Sequence, residues 1–506
     1  MSDHRLIPAL TLGFLAAHLA AEPPLPAVVE SAHALVFQSK DTPQTQSLAA
    51  TERLDTSAER TLTEQSLLDA VRWLEIKART MIKASRREMP NGVAAFPPQA
   101  GAGYEAFWLR DYAYMLEGCA DAFSDKELTD SCRVFIDALR EDGAGVDCVM
   151  FSGRPIYMPG YGRMGDNPVA DGSQFTVEVA WCTYQKTKDG KLLDQILDKL
   201  VKTMGATPRN PNTGLVYIKP EGWDRCPYGF TDSVRKQGDE LFCSLLYVQA
   251  CRQLADLLDA GKRSDDAKRW RTEADRLAPA IRETFWDEKI GLFRAATAFC
   301  KQPDIWGSAF AIYLEVATPA QARTIANYFK GHYREIVQCG QIRHLPAGQY
   351  WDLACAKDTY QNGGYWATAT GWFVNALDLA DPRLADQTVV DMVKDFQLRG
   401  VTEWVMGTNT AVMNYLASAT MPLAGVRKMM ARRGKPLSFQ DIITKEPNAS
   451  ANLAFVGNGA HPGAAFSEYL HPKHTAIGLS NSPIAMGDAA NLVGKEPTHN
   501  HSISIP

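Results

Sequence analysis

The sequence predicts an all-α protein, an (α/α)6 toroid of twelve helices with a rim of long loops and short strands. Two observations carry this prediction. Apolar residues recur with a period of 3.6 from residue 63 to about 420, with turn signals between the segments. Long connections follow every second helix, whereas the alternate links span only two to five residues. Long loops on one face of a barrel are where a binding site is built.

The helices are predicted in order from this period. The first begins at Leu62-Thr63-Glu64 and continues through Leu67, Val71, Leu74 and Ile82. The others are predicted over residues 108–122, 125–140, 172–188, 190–204, 236–258, 264–285, 305–315, 318–332, 364–379, 383–397 and 406–418. Strand-like pieces such as residues 215–218 are short and confined to connections. A solenoid of helical repeats is the all-α alternative, but no repeat of fixed period is visible.

Both ends of the chain depart from this pattern. Arg5 precedes an apolar run, so residues 1–21 resemble a secretory signal peptide, with a buried or interfacial N-terminal helix as the alternative. Residues 22–62 are rich in Pro, Ser, Thr and Gln and are predicted to be a linker or a wrapped arm. The barrel is assigned to residues 63–430, and residues 431–506 to a low-order extension. We therefore expect a secreted or periplasmic protein.

Composition argues against several classes of function. A net charge of −5 over 506 residues gives no reason to expect nucleic acid or an anionic membrane as a partner. None of the ten cysteines shows zinc-like spacing, and we expect buried free thiols. Residues 431–506 hold five of the ten histidines. The pairs His471/His474 and His499/His501 are isolated, so they are weak evidence for a metal site. Only His332 and His344 occur between residues 63 and 430, which disfavours Ser–His–Asp hydrolysis and two-histidine mechanisms.

A carboxylate beside a large aromatic ring is the first candidate for chemistry. Glu403 lies in Gly400-Val401-Thr402-Glu403-Trp404, where Gly400 predicts a turn. A second loop with carboxylates and rings lies far upstream, over residues 221–232. Two carboxylates on converging loops are what acid/base attack on a sugar acetal needs. Glu403 is the candidate base.

The candidate acid is an aspartate of that upstream loop. Asp232 follows Tyr228-Gly229-Phe230, and Asp224 follows Trp223. A carboxyl group among apolar rings can stay protonated near neutrality, which a general acid requires. Asp232 is the first choice and Asp224 the second. An N-cap or turn aspartate is the alternative for either residue.

Polar and aromatic residues elsewhere are candidates for substrate binding. Arg110 and Asp111 can share hydrogen bonds with vicinal sugar hydroxyls while Trp108 packs on a pyranose face, although an ion pair at a helix N-terminus explains them equally well. Asp171 is a further candidate, although an N-cap role fits it better on residue type alone. The remaining candidates are Trp223, Tyr228, Arg343, Trp351, Gln361, Asn362, Trp366 and Trp404. This composition is typical of carbohydrate sites, and protein–protein contact patches share it.

Three of these segments resemble the six-hairpin, (α/α)6-barrel glycosidases, the group that includes trehalases, processing α-glucosidases and glucoamylases. Trp108-Leu109-Arg110-Asp111 resembles their Trp-x-Arg-Asp sugar-binding motif. Glu221-Gly222-Trp223-Asp224 resembles the Glu-Ser-Gly-Trp-Asp loop that supplies the general acid, with Gly222 in place of Ser-Gly. Asn362-Gly363-Gly364-Tyr365-Trp366, followed by Glu403, resembles the late substrate loop and the C-terminal base. The resemblance covers about residues 63–425.

The resemblance implies hydrolysis of a glucoside or related oligosaccharide with inversion. A protonated aspartate donates to the leaving oxygen while Glu403 activates water on the opposite face, with the two carboxyl groups roughly 6.5–9.5 Å apart. No metal or organic cofactor is required, and the implied partner is a carbohydrate substrate. The alternatives are a carbohydrate-binding protein without catalysis, and an epimerase, lyase or phosphorylase on a similar barrel.

Overall fold

A computed structural model describes residues 64–101, 104–158, 168–219 and 233–438. The predicted signal peptide, the arm over residues 22–62 and the tail beyond residue 438 lie outside the described residues. In chain order the helices are α1 (Glu64–Ser85), α2 (Leu109–Cys119), α3 (Asp125–Asp137), α4 (Gly172–Thr187), α5 (Gly190–Gly205), α6 (Leu241–Ala260), α7 (Ser264–Phe285), α8 (Ile305–Tyr313), α9 (Pro319–Gly331), α10 (Tyr333–Ile336), α11 (Thr370–Leu377), α12 (Pro382–Arg399) and α13 (Leu416–Arg432).

Six of these helices form a closed inner ring. Helices α2, α4, α6, α8, α11 and α13 pack each against the next, and α13 returns to α2. Every residue of α8 and of α11 is buried, as expected for helices enclosed on all sides. The other long helices are α1, α3, α5, α7, α9 and α12, and α12 packs against α1. The predicted toroid of six inner and six outer helices is confirmed.

The short links between inner and outer helices end in local capping signals. Ser124 begins α3 with a capping box that includes Glu127, and Thr318 begins α9 with a capping box that includes Gln321. Asp381 caps α12, whose first residue is a proline. These caps satisfy backbone N–H groups that a helix leaves unpaired, so the starts of the outer helices could be predicted closely.

The long connections all precede an inner helix, and they therefore meet at the N-terminal ends of the inner ring, here called the rim. They carry short strands. In order these are β1 (Arg87–Glu88), β2 (Ala94–Ala95), β3 (Ala106–Trp108), β4 (Cys148–Met150), β5 (Pro155–Ile156), β6 (Tyr217–Ile218), β7 (Gly238–Asp239), β8 (Trp286–Asp287), β9 (Leu292–Phe293), β10 (Val337–Gln338), β11 (Gln341–Arg343), β12 (Tyr365–Trp366), β13 (Thr402–Met406) and β14 (Asn409–Met413). Strands are confined to connections, as predicted.

A five-stranded antiparallel sheet joins the last two rim connections. Its order is β10–β11–β12–β13–β14. Ile342 of β11 pairs with Trp366 of β12, and Tyr365 pairs with Val405 of β13. Because the sheet links segments far apart in sequence, it fixes Glu403 relative to the loop that contains Arg343 and Trp351.

The prediction of the last helix over residues 406–418 was wrong. Residues 402–413 form the hairpin β13–β14, and α13 runs from Leu416 to Arg432. Thr402, Trp404 and Val405 are β-branched or aromatic and fit a pleated surface. The hairpin places Glu403 on a strand, whereas the sequence suggested a turn. The glycine signal itself was correct, because Gly400 ends α12 with a φ of 87°.

Two further helix starts were predicted too early. Helix α6 begins at Leu241 and not at residue 236, because Gly238 and Asp239 pair with β6. Helix α11 begins at Thr370 and not at residue 364, because Tyr365 and Trp366 belong to the sheet. In both cases hydrogen bonds to a distant strand outweigh the local apolar period.

The nine described cysteines are all free thiols, and eight of them are buried. This agrees with the expected buried thiols; Cys226 lies outside the described residues. Among the helices of the described ranges, none is long and apolar enough to span a membrane.

Candidate active site

The rim brings Glu403 to the Trp108 segment. Glu403 is only 3% exposed, and its Oε1 accepts a hydrogen bond from the Tyr104 hydroxyl over 3.4 Å. The Tyr104 ring lies edge-on to Trp108, with ring centroids 6.1 Å apart. A carboxylate near the end of the chain and an indole near its start therefore meet through one tyrosine. This is the convergence that acid/base work on a bound sugar requires.

Arg110, in the first turn of α2, lies between two buried aspartates, Asp147 just before β4 and Asp171 at the N-cap of α4. Its Nε donates to Asp171 Oδ2 over 3.2 Å, and its terminal nitrogen lies 3.7 Å from Asp147 Oδ1. Asp171 occupies the N-cap position of α4, but its side chain makes no capping hydrogen bond. Asp171 therefore orients the guanidinium of Arg110, and the N-cap interpretation of its side chain does not hold.

Asp111 is buried and accepts a hydrogen bond from the Tyr415 hydroxyl over 2.6 Å. Burial raises the pKa of Asp111, while the Tyr415 hydrogen bond and the charge of Arg110 act in the opposite direction. Burial also raises the pKa of Tyr415 well above its ordinary value, so this hydroxyl keeps its proton and remains a donor. Two residues of the motif at 108–111 are thus held by the N-cap residues of two other inner helices, Asp171 of α4 and Tyr415 of α13.

The strand of Glu403 is distorted opposite the carboxylate. In the register of the hairpin, Glu403 faces Val412, which has a φ of 48°. A β-branched residue at positive φ is an outlier, and such strain tends to occur where surrounding structure holds a functional group in place. Trp404 lies on the other side of the strand, where a Cβ on Gly364 would come within 2.9 Å of its ring.

The loop from Arg343 to Trp366 is held by its own polar side chains. Asn362 accepts from the Trp351 backbone N–H over 2.9 Å and donates to the Cys355 carbonyl over 2.7 Å. Arg343 donates to the carbonyl of Pro346 over 3.2 Å and contacts Asp358. These contacts shape the rim loop, and a direct contact of Arg343 or Asn362 with sugar stays a prediction.

Sequence and structural comparisons point to one fold. The model of the bacterial α-L-rhamnosidase six-hairpin glycosidase domain matches residues 108–338. A rhamnosidase from Klebsiella oxytoca with rhamnose bound is similar in structure, with a TM-score of 0.51 and 17% identity over 74% of this chain and 65% of that one. A family 63 mannosylglycerate hydrolase from Thermus thermophilus in complex with glucose matches with a TM-score of 0.53 and 16% identity, over 70% of this chain and 100% of that one.

The chain has a six-hairpin glycosidase fold. The family-model match over residues 108–338 agrees with this fold. The chain spans about two thirds of the length of the Klebsiella rhamnosidase. No curated protein matches the sequence.

In this six-hairpin fold the predicted site residues fall into three groups. The structure brings together Trp108, Arg110, Asp111, Asp171 and Glu403 at the rim. Arg343, Trp351, Gln361, Asn362, Trp366 and Trp404 lie in the neighbouring loop and in the sheet beside it; Trp366 is fully buried and donates to the Tyr360 carbonyl over 3.1 Å. The third group, Trp223, Asp224, Tyr228 and Asp232, lies outside the described residues, so the choice of acid stays a prediction.

Sequence reasoning missed several residues of the rim. Tyr104, Asp147 and Tyr415 each bond to a predicted site residue, yet none belongs to a recognisable motif. Their only sequence signal is position, since each lies just before an inner helix or in a connection that leads to one. Glu240 also lies just before an inner helix, and it caps α6 by accepting from the Cys243 N–H over 2.6 Å.

Proposed function

We propose that the chain hydrolyses a pyranoside with inversion of configuration, with Glu403 as the general base. The observation that carries this proposal is the place of Glu403: a buried carboxylate on the rim of a six-hairpin fold, oriented by Tyr104 and next to the Trp108–Asp111 motif. Asp232 is the proposed acid, with Asp224 as the alternative. The substrate is a glucoside or a related oligosaccharide.

The proposed reaction needs little beyond positioned carboxyl groups. Water attacks the anomeric carbon, its proton passes to Glu403, and the bond to the leaving oxygen breaks as the aspartic acid protonates that oxygen. The hydrogen bond from Tyr104 holds one oxygen of Glu403, which fixes the direction in which the other faces water. Trp108 offers an apolar ring for a sugar face, and Arg110 and Asp111 offer donors and acceptors for hydroxyls.

A second candidate substrate is an α-L-rhamnoside. The observation that favours it is the family-model match over residues 108–338, which contain the Trp108–Asp111 motif. The two substrate classes are separated by measuring kcat/KM for nitrophenyl and natural glycosides of D-glucose and L-rhamnose. The preferred sugar is the one with the higher kcat/KM.

The role of Glu403 is tested by Glu403→Gln. We expect kcat to fall by about 10² to 10⁴, the usual contribution of a general base, while binding of the substrate is kept. Glu283→Gln is the matched control, because Glu283 is exposed on the outer helix α7 and the variant should keep full activity. Full activity in Glu403→Gln would show that Glu403 is not the general base.

The stereochemical course is tested by NMR of the first product formed. Inversion predicts that an α-glycoside releases the β-anomer before mutarotation. Release of the α-anomer would contradict the proposal, and a rate that depends on phosphate would indicate a phosphorylase. Sugar binding without turnover by the wild type would leave only the carbohydrate-binding alternative.

A further inference from the structure

His344 is a buried histidine whose ring nitrogens have no hydrogen-bond partner. It directly follows β11, and its carbonyl accepts from the Ile305 N–H, at the first residue of α8, over 3.0 Å. The side chain is 2% exposed, and within the described ranges neither Nδ1 nor Nε2 meets a donor or an acceptor. An unpaired buried polar group costs about 1–3 kcal/mol, so two of them on one ring call for an explanation.

The ring of His344 is held firmly by its neighbours. It stacks on Trp306 with centroids 3.6 Å apart and lies edge-on to Trp351 at 6.1 Å. Trp351 belongs to a small apolar cluster under the rim loops, separate from the barrel core that contains Trp306. His344 therefore lies in a layer between two apolar clusters, and its orientation is set by packing alone.

Other polar groups share this layer. Lys236 is wholly buried, donates to Glu240 over 2.8 Å and lies 3.7 Å from Asp304. Those two carboxylates cap α6 and α8, so the layer lies at the rim. An ammonium has three N–H donors, and Glu240 is the only partner within hydrogen-bond reach that the described residues give it. The Lys236 ammonium, close to His344, therefore has N–H donors that the described residues do not use in a hydrogen bond.

The imidazole is neutral in this setting. Burial lowers the pKa of His344 well below its ordinary value, and the positive charges of Lys236 and Arg343 lower it further. A neutral imidazole has one N–H donor and one acceptor nitrogen. This is the combination that a sugar hydroxyl, itself a donor and an acceptor, can satisfy.

The layer is also close to the candidate base. The strand β11 that leads to His344 pairs with β12, and β12 pairs with β13, which carries Glu403. Two strand spacings of about 4.8 Å each separate the lines of the two strands, roughly 10 Å in all. An oligosaccharide bound at Glu403 can extend over that distance.

We propose that His344 is a specificity-determining residue that binds a hydroxyl of the sugar substrate, with Lys236 as a second donor and Trp351 as the adjoining apolar wall. This inference rests on the proposed function, because it adds a subsite to the same rim. The subsite distinguishes sugars by a hydroxyl that its polar groups pair with. A sugar lacking that hydroxyl leaves them unpaired and binds less tightly.

The test uses His344→Phe, which keeps a ring on Trp306 and removes both nitrogens. In the Glu403→Gln background, we expect the Kd for a disaccharide of D-glucose or of L-rhamnose, which can extend from Glu403 to His344, to rise tenfold or more. A monodeoxy derivative of the same sugar that lacks the hydroxyl bound by His344 should have the same Kd for the proteins with and without His344→Phe. His332→Phe is the matched control: His332 also stacks on a ring, that of Tyr328, at the C-terminal end of the outer helix α9, and its loss should leave every Kd unchanged.

A second measurement uses protein that retains His344, so its result does not depend on whether His344→Phe folds. In protein labelled with ¹⁵N-histidine, the ring signals of His344 should shift when the disaccharide is added. Binding with unchanged His344 signals, or with an unchanged Kd in His344→Phe, overturns this inference and leaves the proposed function intact. No binding of any glycoside to the wild type overturns both.

Discussion

Buried carboxyl groups lie in the interior of the barrel as well as at its rim. Glu117 lies about 12 Å along α2 from the rim, at about 1.5 Å per residue. It accepts a hydrogen bond from the Tyr313 hydroxyl over 2.7 Å. Its neighbour Glu178, on α4, is buried, and burial raises the pKa of Glu178 well above its ordinary value; the charge of Glu117 raises it further. Glu178 therefore keeps a proton that an exposed glutamate would lose.

The protonation of Glu178 predicts how the free energy of unfolding depends on pH. Above about pH 4.3 the unfolded chain loses the Glu178 proton while the folded chain keeps it, so stability falls as the pH rises toward the folded-state pKa. Glu178→Gln removes this titration and keeps the shape. We expect the free energy of unfolding of the variant, relative to wild type, to be higher at pH 7 than at pH 4 in urea denaturation. A trend of opposite sign would contradict a protonated Glu178.

The rim also shows why individual residues differ in how well sequence predicts them. Arg110 and Asp111 stand in a local motif, and the structure buries both at the rim, where Arg110 bonds to Asp171 and Asp111 to Tyr415. Tyr104 and Tyr415 are isolated tyrosines, and only the approach of distant segments gives their hydroxyls a carboxylate to bind. Their role depends on distances that no local pattern encodes.

At the scale of elements, one rim loop is tied directly to the segment that follows the proposed acid. The side-chain oxygen of Gln361 accepts from the Ser233 N–H over 2.8 Å and from its hydroxyl over 2.9 Å. That N–H belongs to the peptide group after Asp232. The Gln361 carbonyl in turn accepts from the Trp351 indole over 3.1 Å, which fixes this part of the loop. Gln361 is therefore placed to position Asp232 and not only to bind sugar.

Replacement of Gln361 by Met separates these roles. We expect kcat for glycosides with a poor, alkyl leaving group to fall at least about tenfold, and kcat for nitrophenyl glycosides to change little, because only the former need the general acid. Gln302→Met is the control: Gln302 holds the same loop through Tyr350 and Asp352 without contact to Ser233. Equal losses on both substrate types would show that Gln361 does not act through the acid.

The hairpin β13–β14 shows where element prediction fails. Residues 406–418 contain apolar residues at helical spacing, but Asn409–Met413 pairs with Thr402–Met406, whose Val405 in turn pairs with Tyr365 from another connection. The free energy of that pairing is set by a partner about forty residues away in sequence, whereas helix periodicity is a local signal. Sequence thus predicts the outer helices well and the rim sheet poorly.

At the scale of the whole molecule, closure of the inner ring depends on close approaches of helices. Gly371 of α11 and Gly425 of α13 meet backbone to backbone, and a Cβ on Gly425 would overlap the Gly371 carbonyl. Gly118 of α2 likewise leaves no room for a Cβ against Thr420 of α13. The last inner helix therefore closes the toroid through glycine contacts on both sides.

We expect Gly425→Ala to lower the free energy of unfolding by about 3 kcal/mol, at the upper end for overpacked positions, because neither backbone can move without opening the ring. Gly205→Ala, at the end of α5, is the matched control: a Cβ there meets open space, so the change should be neutral or stabilising by up to about 1 kcal/mol. Thermal and urea unfolding measure both. A small loss in Gly425→Ala would show that the ring tolerates wider spacing.

The sequence by itself determined the number of helix pairs, the alternation of long and short connections, and the candidate role of Glu403 and of the Trp108–Asp111 motif. These are local signals, since apolar period, caps and motif residues are each contained within a few turns of chain. Only the tertiary structure decided that Glu403 lies on a strand, that Tyr104 and Tyr415 bond the site carboxylates, and that His344 is buried without a partner. The physical reason is that strand pairing, desolvation and hydrogen bonding across the rim depend on segments up to three hundred residues apart.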